Sequence, residues 1–326
     1  QKLRRENNIM SQLTVSTSPH VHSEFTTRNI MCMVILALLP SGIMGTYFLG
    51  LRSLAVIATC IIACVASEYV WQKFVIKTKV TINDLSAALT GLLLAYNLPP
   101  SIPLWMAICG SIFAVIVVKQ FYGGIGCNIV NPALAARAMM LISWPTAMTT
   151  WTVNGVSGAT PLAAMKAGNP VTLSCLNLWS GNMGGCIGET SSLLLIIGGI
   201  YLIWENVISW RIPVIYIVTA AILGSLFNHG GGFYPVHEIL TGGLLIGAFF
   251  MATDYTTSPM SAKGQIIYAF GCGLVTALIR TWGGYPEGVS FSILIMNIAV
   301  PLIDRYTEPR VFGAPKSNFA KRMGGK

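Results

Sequence analysis

Apolar residues in this chain gather into ten runs, near residues 29–49, 53–76, 84–98, 103–121, 132–150, 191–209, 212–228, 238–252, 264–281 and 288–304. A helix needs about 20 apolar residues to cross a bilayer, and the longer runs meet that length. Others are short or interrupted. The third run stops at Leu98-Pro99-Pro100, and the eighth contains Gly242, Gly243 and Gly247. Backbone broken at membrane depth is tolerated where it is buried in protein or lines a cavity, so these two runs predict half-helices beside a functional centre.

The order of features repeats. Leu89-Thr90-Gly91-Leu92-Leu93-Leu94 in the third run is echoed by Leu240-Thr241-Gly242-Gly243-Leu244-Leu245 in the eighth. Each is followed by another apolar run and a glycine-rich turn, Tyr122-Gly123-Gly124 in the first half and Trp282-Gly283-Gly284 in the second. Five spans per half is an odd number, so the halves must run in opposite directions through the membrane. The expected fold is all-α and integral to the membrane, with about ten transmembrane helices as two inverted five-helix repeats containing half-helices. The boundaries are an N-terminal segment 1–28, a first repeat 29–150, a polar loop 151–190, a second repeat 191–304 and a basic tail 305–326.

Composition agrees with this reading. Of 326 residues, 54% are hydrophobic and 10% charged, against about 25% charged in soluble domains. Residues 1–28 contain no apolar run and predict no cleavable signal peptide. The net charge of +9 invites a nucleic-acid partner. Its distribution argues for none. With the N-terminus in the cytoplasm, sixteen Lys and Arg residues fall inside, and only Arg52, Lys166 and Arg280 fall outside. Arg137 lies within a span. The charge bias therefore predicts a multi-pass protein of the cytoplasmic (inner) membrane with both termini cytoplasmic and the 151–190 loop outside.

The eight cysteines form no C-x-x-C, and most fall in or beside apolar runs, which predicts small buried residues and no metal site. Cys175 and Cys186 share the long loop and could pair in an oxidising space. Arg137 is costly inside a membrane unless partnered, so it is either functional or paired with carbonyls or a carboxylate of another span. Of Glu68, Asp84, Glu205, Glu238, Asp254 and Asp304, most are expected to be interfacial. Asp254 ends the interrupted eighth run and supplies the hard oxygen ligand that a coupling ion prefers. The tryptophans at span ends need only interfacial anchoring.

Taken together, these residues resemble the family that holds the D subunit of the Rnf complex and the B subunit of the sodium-pumping NADH:quinone oxidoreductase. The resemblance covers nearly the whole chain. It rests on Ser18-Pro19-His20, Leu89 to Leu94 with Leu98-Pro99-Pro100, Lys119-Gln120, Tyr122-Gly123-Gly124, Asn128 and Asn131-Pro132-Ala133. It continues with Ser157-Gly158-Ala159-Thr160-Pro161-Leu162, Gly247-Ala248-Phe249-Phe250, Thr253-Asp254, Arg280, Gly283 to Val289, Asn297 and Pro301 to Asp304. On chemical grounds alone, Ser157 to Thr160 is a turn of small residues. The resemblance implies that it is the attachment motif for FMN, joined through its phosphate to Thr160 by an extracytoplasmic flavin transferase. Ser157, Gly158, Ala159, Pro161 and Leu162 would flank the bond, and Arg137 is the intramembrane candidate for the phosphate, with Lys166 and Arg280 as outer alternatives. The family's aspartate three residues before the serine is Asn154 here.

The resemblance further implies a subunit of an ion-translocating ferredoxin:NAD oxidoreductase. The short segment before the first span favours the Rnf side of the family. With other Rnf-type subunits, such a chain relays electrons coupled to export of Na+ or H+. It has no nicotinamide fold and no iron–sulfur cysteine pattern, so it is not catalytic alone. The residues leave open whether a second, non-covalent flavin such as riboflavin is bound. The competing reading is a solute or ion transporter or channel, since inverted repeats serve those too.

Overall fold

The computed structural model describes residues 26–77, 80–153, 156–157, 162, 179, 184–227, 235–284 and 288–308. The described chain is helical apart from a two-residue antiparallel ladder, β1 (Thr152–Val153) with β2 (Val156–Ser157). In the first half, α1 is Thr27–Leu49, α2 is Leu51–Val70 continuing as a π-helical turn Trp71–Ile76, and α3 is Ser86–Tyr96. Next come α4, Leu104–Ile112 with a π-helical extension Phe113–Gln120, then α5, Pro132–Ser143, and the short α6, Pro145–Met148. The second half has α7 (Ser192–Trp204), α8 (Arg211–Phe227), α9 (Pro235–Leu240) and α10 (Leu244–Ile246, continued by the π-helical Gly247–Met251). It closes with α11 (Ala262–Trp282) and α12 (Val289–Thr307).

The helix ends carry the expected chemistry. The Thr26 hydroxyl caps α1, Asn131 caps α5 ahead of Pro132, Ser191 caps α7 and Ser261 caps α11, each accepting from a backbone N–H of the first turn. Among the described residues, four segments are long and apolar enough to cross a membrane: Thr27–Leu49, Leu51–Ile76, Ala262–Trp282 and Val289–Thr307. Five more are apolar but shorter, Ser86–Tyr96, Leu104–Gln120, Pro132–Ser143, Ser192–Trp204 and Arg211–Phe227. Large apolar side chains such as Leu51, Ile62, Ile142, Ile298 and Leu302 are exposed around the bundle, as a lipid-facing surface requires.

The two interruptions differ in form. The helix α3 passes through Gly91 without a break and ends after eleven residues, which is about 16 Å of rise and roughly half of a bilayer core. The chain then turns at Leu98-Pro99-Pro100. In the second half the break falls inside the span. Gly242 and Gly243 both take left-handed backbone (φ +70° and +67°) between α9 and α10, a conformation that glycine reaches without the Cβ penalty.

Segment 186–189 reaches back to these half-helix tips. The Ile187 N–H donates to the Leu98 carbonyl (3.1 Å), and Gly188 packs against Tyr96 and Ile246. A Cβ on Gly188 would lie 2.5 Å from the Tyr96 Cβ, so only glycine lets the strap sit between the tips.

Candidate functional site

Two separate regions are candidates. The first is a cavity of about 380 Å³ between α1, α3, α5, α7 and the π-helical segment 247–251. Leu89, Leu93, Leu202, Phe249 and Phe250 give it apolar walls, and Thr90, Asn128, Asn131, Thr253 and Asp254 add polar groups at one side. Volume and lining both suit a small-molecule site.

Asp254 follows the π-helical segment in the turn before α11 and faces this cavity. Its Oδ2 accepts from Thr257 Oγ1 (3.3 Å) and lies 3.5 Å from Asn128 Nδ2. The Thr256 hydroxyl is 3.1 Å from the same oxygen and 3.0 Å from Asn128 Oδ1, and its one proton serves either. Burial pushes the Asp254 carboxyl above its usual range, and the bonds from Thr256, Thr257 and Asn128 hold it partly down. Asn131 ties α5 to the same segment by donating Nδ2 to the Met251 carbonyl (3.3 Å).

Lys119 also lines the cavity, at the end of the π-helical extension of α4. Its Nζ donates to both oxygens of Glu68 (3.1 and 3.0 Å) and to Ser86 Oγ (2.7 Å). Glu68 accepts two further bonds, from Gln72 (3.2 Å) and Gln120 (2.9 Å). Both charges are almost wholly buried. Glu68, one of the carboxylates of which most are expected to be solvated, is therefore buried in an ion pair. No fixed spacing joins residues 68 and 119, and only the packing of α2 against α4 brings them together.

The second region is the break at Gly242–Gly243. Arg280, in the last turn of α11, donates Nη1 to the Glu238 carboxylate and carbonyl (both 2.7 Å) and Nη2 to the carbonyls of Thr241 (2.9 Å) and Gly242 (3.4 Å). The guanidinium thereby serves the carbonyls that α9 leaves unsatisfied, at the negative pole of a helix end. Glu238 is likewise buried in this ion pair rather than solvated. On the other side of the break, the Glu189 carboxylate lies against Gly243, where a Cβ would be 2.6 Å from its Oε1. Glu189 was not singled out from the sequence, because it sits in the polar loop and only the fold carries it inward.

Leu162 is buried against the same break, with its Cδ2 at 2.7 Å from where a Gly242 Cβ would stand and Arg280 Nη2 at 2.9 Å. Of the other motif residues, Ser157 pairs through its backbone with Thr152, while Gly158, Ala159, Thr160 and Pro161 lie outside the described residues, as does Lys166. Arg137, on α5, is elsewhere. Its Nη1 donates to Asn97 Oδ1 (2.9 Å) at the tip of α3 and its Nη2 to Cys186 Sγ (3.4 Å). The Cys186 thiol donates to the Asn97 carbonyl (3.3 Å). Arg137 thus joins α3, α5 and the 186–189 strap, and these bonds go to neutral groups.

A family model described as "NQR2, RnfD, RnfE family" matches residues 14–313. The chain belongs to that family. It is 52% identical over 311 residues to the D subunit of the Na(+)-translocating ferredoxin:NAD(+) oxidoreductase complex of Acetobacterium woodii, covering 93% of this chain and 96% of that one. To the D subunit of the proton-translocating ferredoxin:NAD(+) oxidoreductase complex of Clostridium ljungdahlii it is 47% identical, with 92% and 96% covered. The D subunit of the ion-translocating oxidoreductase complex of Stutzerimonas stutzeri is 37% identical, with 87% and 91% covered. The names of the first two relatives carry different ions, so likeness alone assigns none to this chain.

Proposed function

We propose that this chain is the membrane electron-transfer subunit of an ion-translocating ferredoxin:NAD oxidoreductase, with FMN esterified through its phosphate to Thr160. The observation that carries the reading is family membership over nearly the whole chain together with the intact Ser157-Gly158-Ala159-Thr160 motif. Covalent FMN supplies electron transfer, and the chain's own groups bind, orient and exclude water. The motif faces the extracytoplasmic side, where the transferase acts, and both termini are cytoplasmic. Family membership and full-length likeness to subunits of such complexes support the assembly with other Rnf-type subunits.

The cavity fits a second, non-covalent flavin. Its apolar walls suit a planar ring, and Thr90, Asn128 and Asn131 offer the hydrogen bonds a ring edge needs. Asp254, in the same cavity, is the group for Na+ or H+. Its oxygen-rich setting with Thr256 and Thr257 suits a hard cation. Electrons enter from and leave to partner subunits, and the isolated chain relays without turnover.

In the transporter reading, the helix ends at a break face a solute. Here the end of α9 is occupied by Arg280, and Glu189 stands at the start of α10. The deciding experiment is a denaturing gel under ultraviolet light. The native chain should fluoresce, and Thr160→Ala should lose the band while still inserting in the membrane. An undiminished band in Thr160→Ala moves the attachment elsewhere, and a dark native chain refutes the flavin reading.

A further inference from the structure

On α11, Tyr268, Cys272, Thr276 and Arg280 recur every four residues, so they form one stripe with a member on each successive turn. All four are buried, and the stripe climbs about 18 Å, more than half of a bilayer core. Its middle is a closed ring of hydroxyls from three helices. Tyr216 Oη on α8 lies 2.8 Å from Thr276 Oγ1 and 2.9 Å from Ser292 Oγ on α12, and those two oxygens are 2.7 Å apart. Thr276 Oγ1 is also 2.7 Å from the Cys272 carbonyl, and Ser292 Oγ is 2.8 Å from the Val289 carbonyl. Three hydroxyl protons thus serve five hydrogen-bonding distances. No one arrangement fills them all, so turning the hydroxyls moves the ring between arrangements with similar bonding. Polar contacts that only hold membrane helices together need no such freedom.

The stripe joins the two candidate regions. At one end the Tyr268 hydroxyl donates to the Cys272 thiol and accepts from Asn297 Nδ2 (2.8 Å). Asn297 Nδ2 also faces the carbonyl of Thr257 (3.1 Å), whose hydroxyl donates to Asp254 (3.3 Å), and its Oδ1 accepts from the Asn131 N–H (3.2 Å). At the other end Arg280 holds the Glu238 carboxylate at the break.

We propose that this stripe is a proton path through the second repeat, running from the Asp254 turn through the Tyr216–Thr276–Ser292 ring to the Glu238–Arg280 pair. A proton arriving on Tyr268 Oη is matched by release of that hydroxyl's own proton to Cys272. The ring takes one proton at Thr276 and gives one up from Tyr216 or Ser292, and one proton leaves through the Glu238 carboxylate. Every group ends with the proton count it began with, and turning the hydroxyls back resets the path. Members on successive turns are about 5.4 Å apart along the axis, a step that rotation of the Cys272 and Thr276 side chains shortens. Asn297 is a positioning residue, since its amide fixes the Tyr268 hydroxyl and carries no proton itself. The inference rests on the ion-export reading above and names the proton as an ion carried.

The test uses the whole complex in proteoliposomes, with reduced ferredoxin and NAD outside. A trapped pH dye in sodium-free buffer and NADH absorbance together give protons moved per electron, and a sodium-sensitive dye reads Na+ in a parallel run. Tyr216→Phe and the nearly isosteric Thr276→Val each remove one ring hydroxyl. Protons per electron should fall several-fold in both, and Thr276→Ser should restore the ratio. Where electron flow stays locked to export, both slow together and the solvent deuterium isotope effect on NADH formation rises instead. A ring that served packing alone would change the yield of assembled complex and neither of these readouts. If Thr276→Val does not assemble, Ser292→Ala takes its place. An unchanged ratio and isotope effect in assembled variants overturn the path and leave the ion-export reading standing, as does a native complex that moves Na+ and no protons. A native complex that moves neither ion overturns the ion-export reading and the path with it.

Discussion

Replacing Lys119 by methionine removes one charge from a buried pair while keeping much of the side-chain length. The Nζ makes three bonds, two to Glu68 and one to Ser86, and each partner is buried. Breaking a buried pair by deleting one partner costs about 3–5 kcal/mol, because the remaining charge is left uncompensated. Glu68 keeps the amide donors of Gln72 and Gln120, so the low end applies, about 3 kcal/mol or roughly a hundredfold in the folding equilibrium. Adding Glu68→Gln removes the stranded charge and should bring the double variant back to within about 1 kcal/mol of the parent, since a neutral replacement of the whole pair is often close to neutral in stability. Equilibrium unfolding in mixed detergent–SDS micelles, read by tryptophan fluorescence and assembled as a double-mutant cycle, measures these terms. A Lys119→Met cost below about 1 kcal/mol, or a double variant no better than the single one, would refute the argument that an uncompensated buried carboxylate dominates.

Two further outcomes follow from sidedness and from Asp254. A cysteine introduced at Ser180 should react with a membrane-impermeant thiol reagent in intact cells, above the background of Cys175 and Cys186, and labelling only after lysis would invert the orientation. Asp254→Asn should keep covalent flavin but lose ion export coupled to electron flow. Because burial raises the Asp254 pKa, protons compete with a bound cation at higher pH than at an exposed aspartate, so the half-saturating Na+ concentration should rise as pH falls through that raised value. A half-saturating concentration that does not change with pH in the native assembly would remove Asp254 from the ion site.

Much of the fold was legible because lipid imposes a length and an apolar period on every crossing segment. The runs at 29–49, 53–76, 264–281 and 288–304 match α1, α2 with its π-helical turn, α11 and α12 to within three residues at each end. The short third run and the glycines of the eighth marked the half-helix and the break, since proline and glycine write their backbone effects locally. The hydroxyl motif and Asp254 were legible as candidates for the same reason: each is a short string read in place.

What the sequence could not supply is partnership across the bundle. Glu68 meets Lys119, Glu238 meets Arg280 and Arg137 meets Asn97 across 51, 42 and 40 positions. A carboxylate near a span end reads as solvated until packing closes another helix over it. Nor does any local rule carry Glu189 from a polar loop to the tip of α10, or Leu162 onto Gly242. The four long spans and the breaks were determined by local pattern. Which charges are neutralised, and where Leu162 is buried, were decided by tertiary structure, because burial cost and ion pairing depend on neighbours that lie far away along the chain.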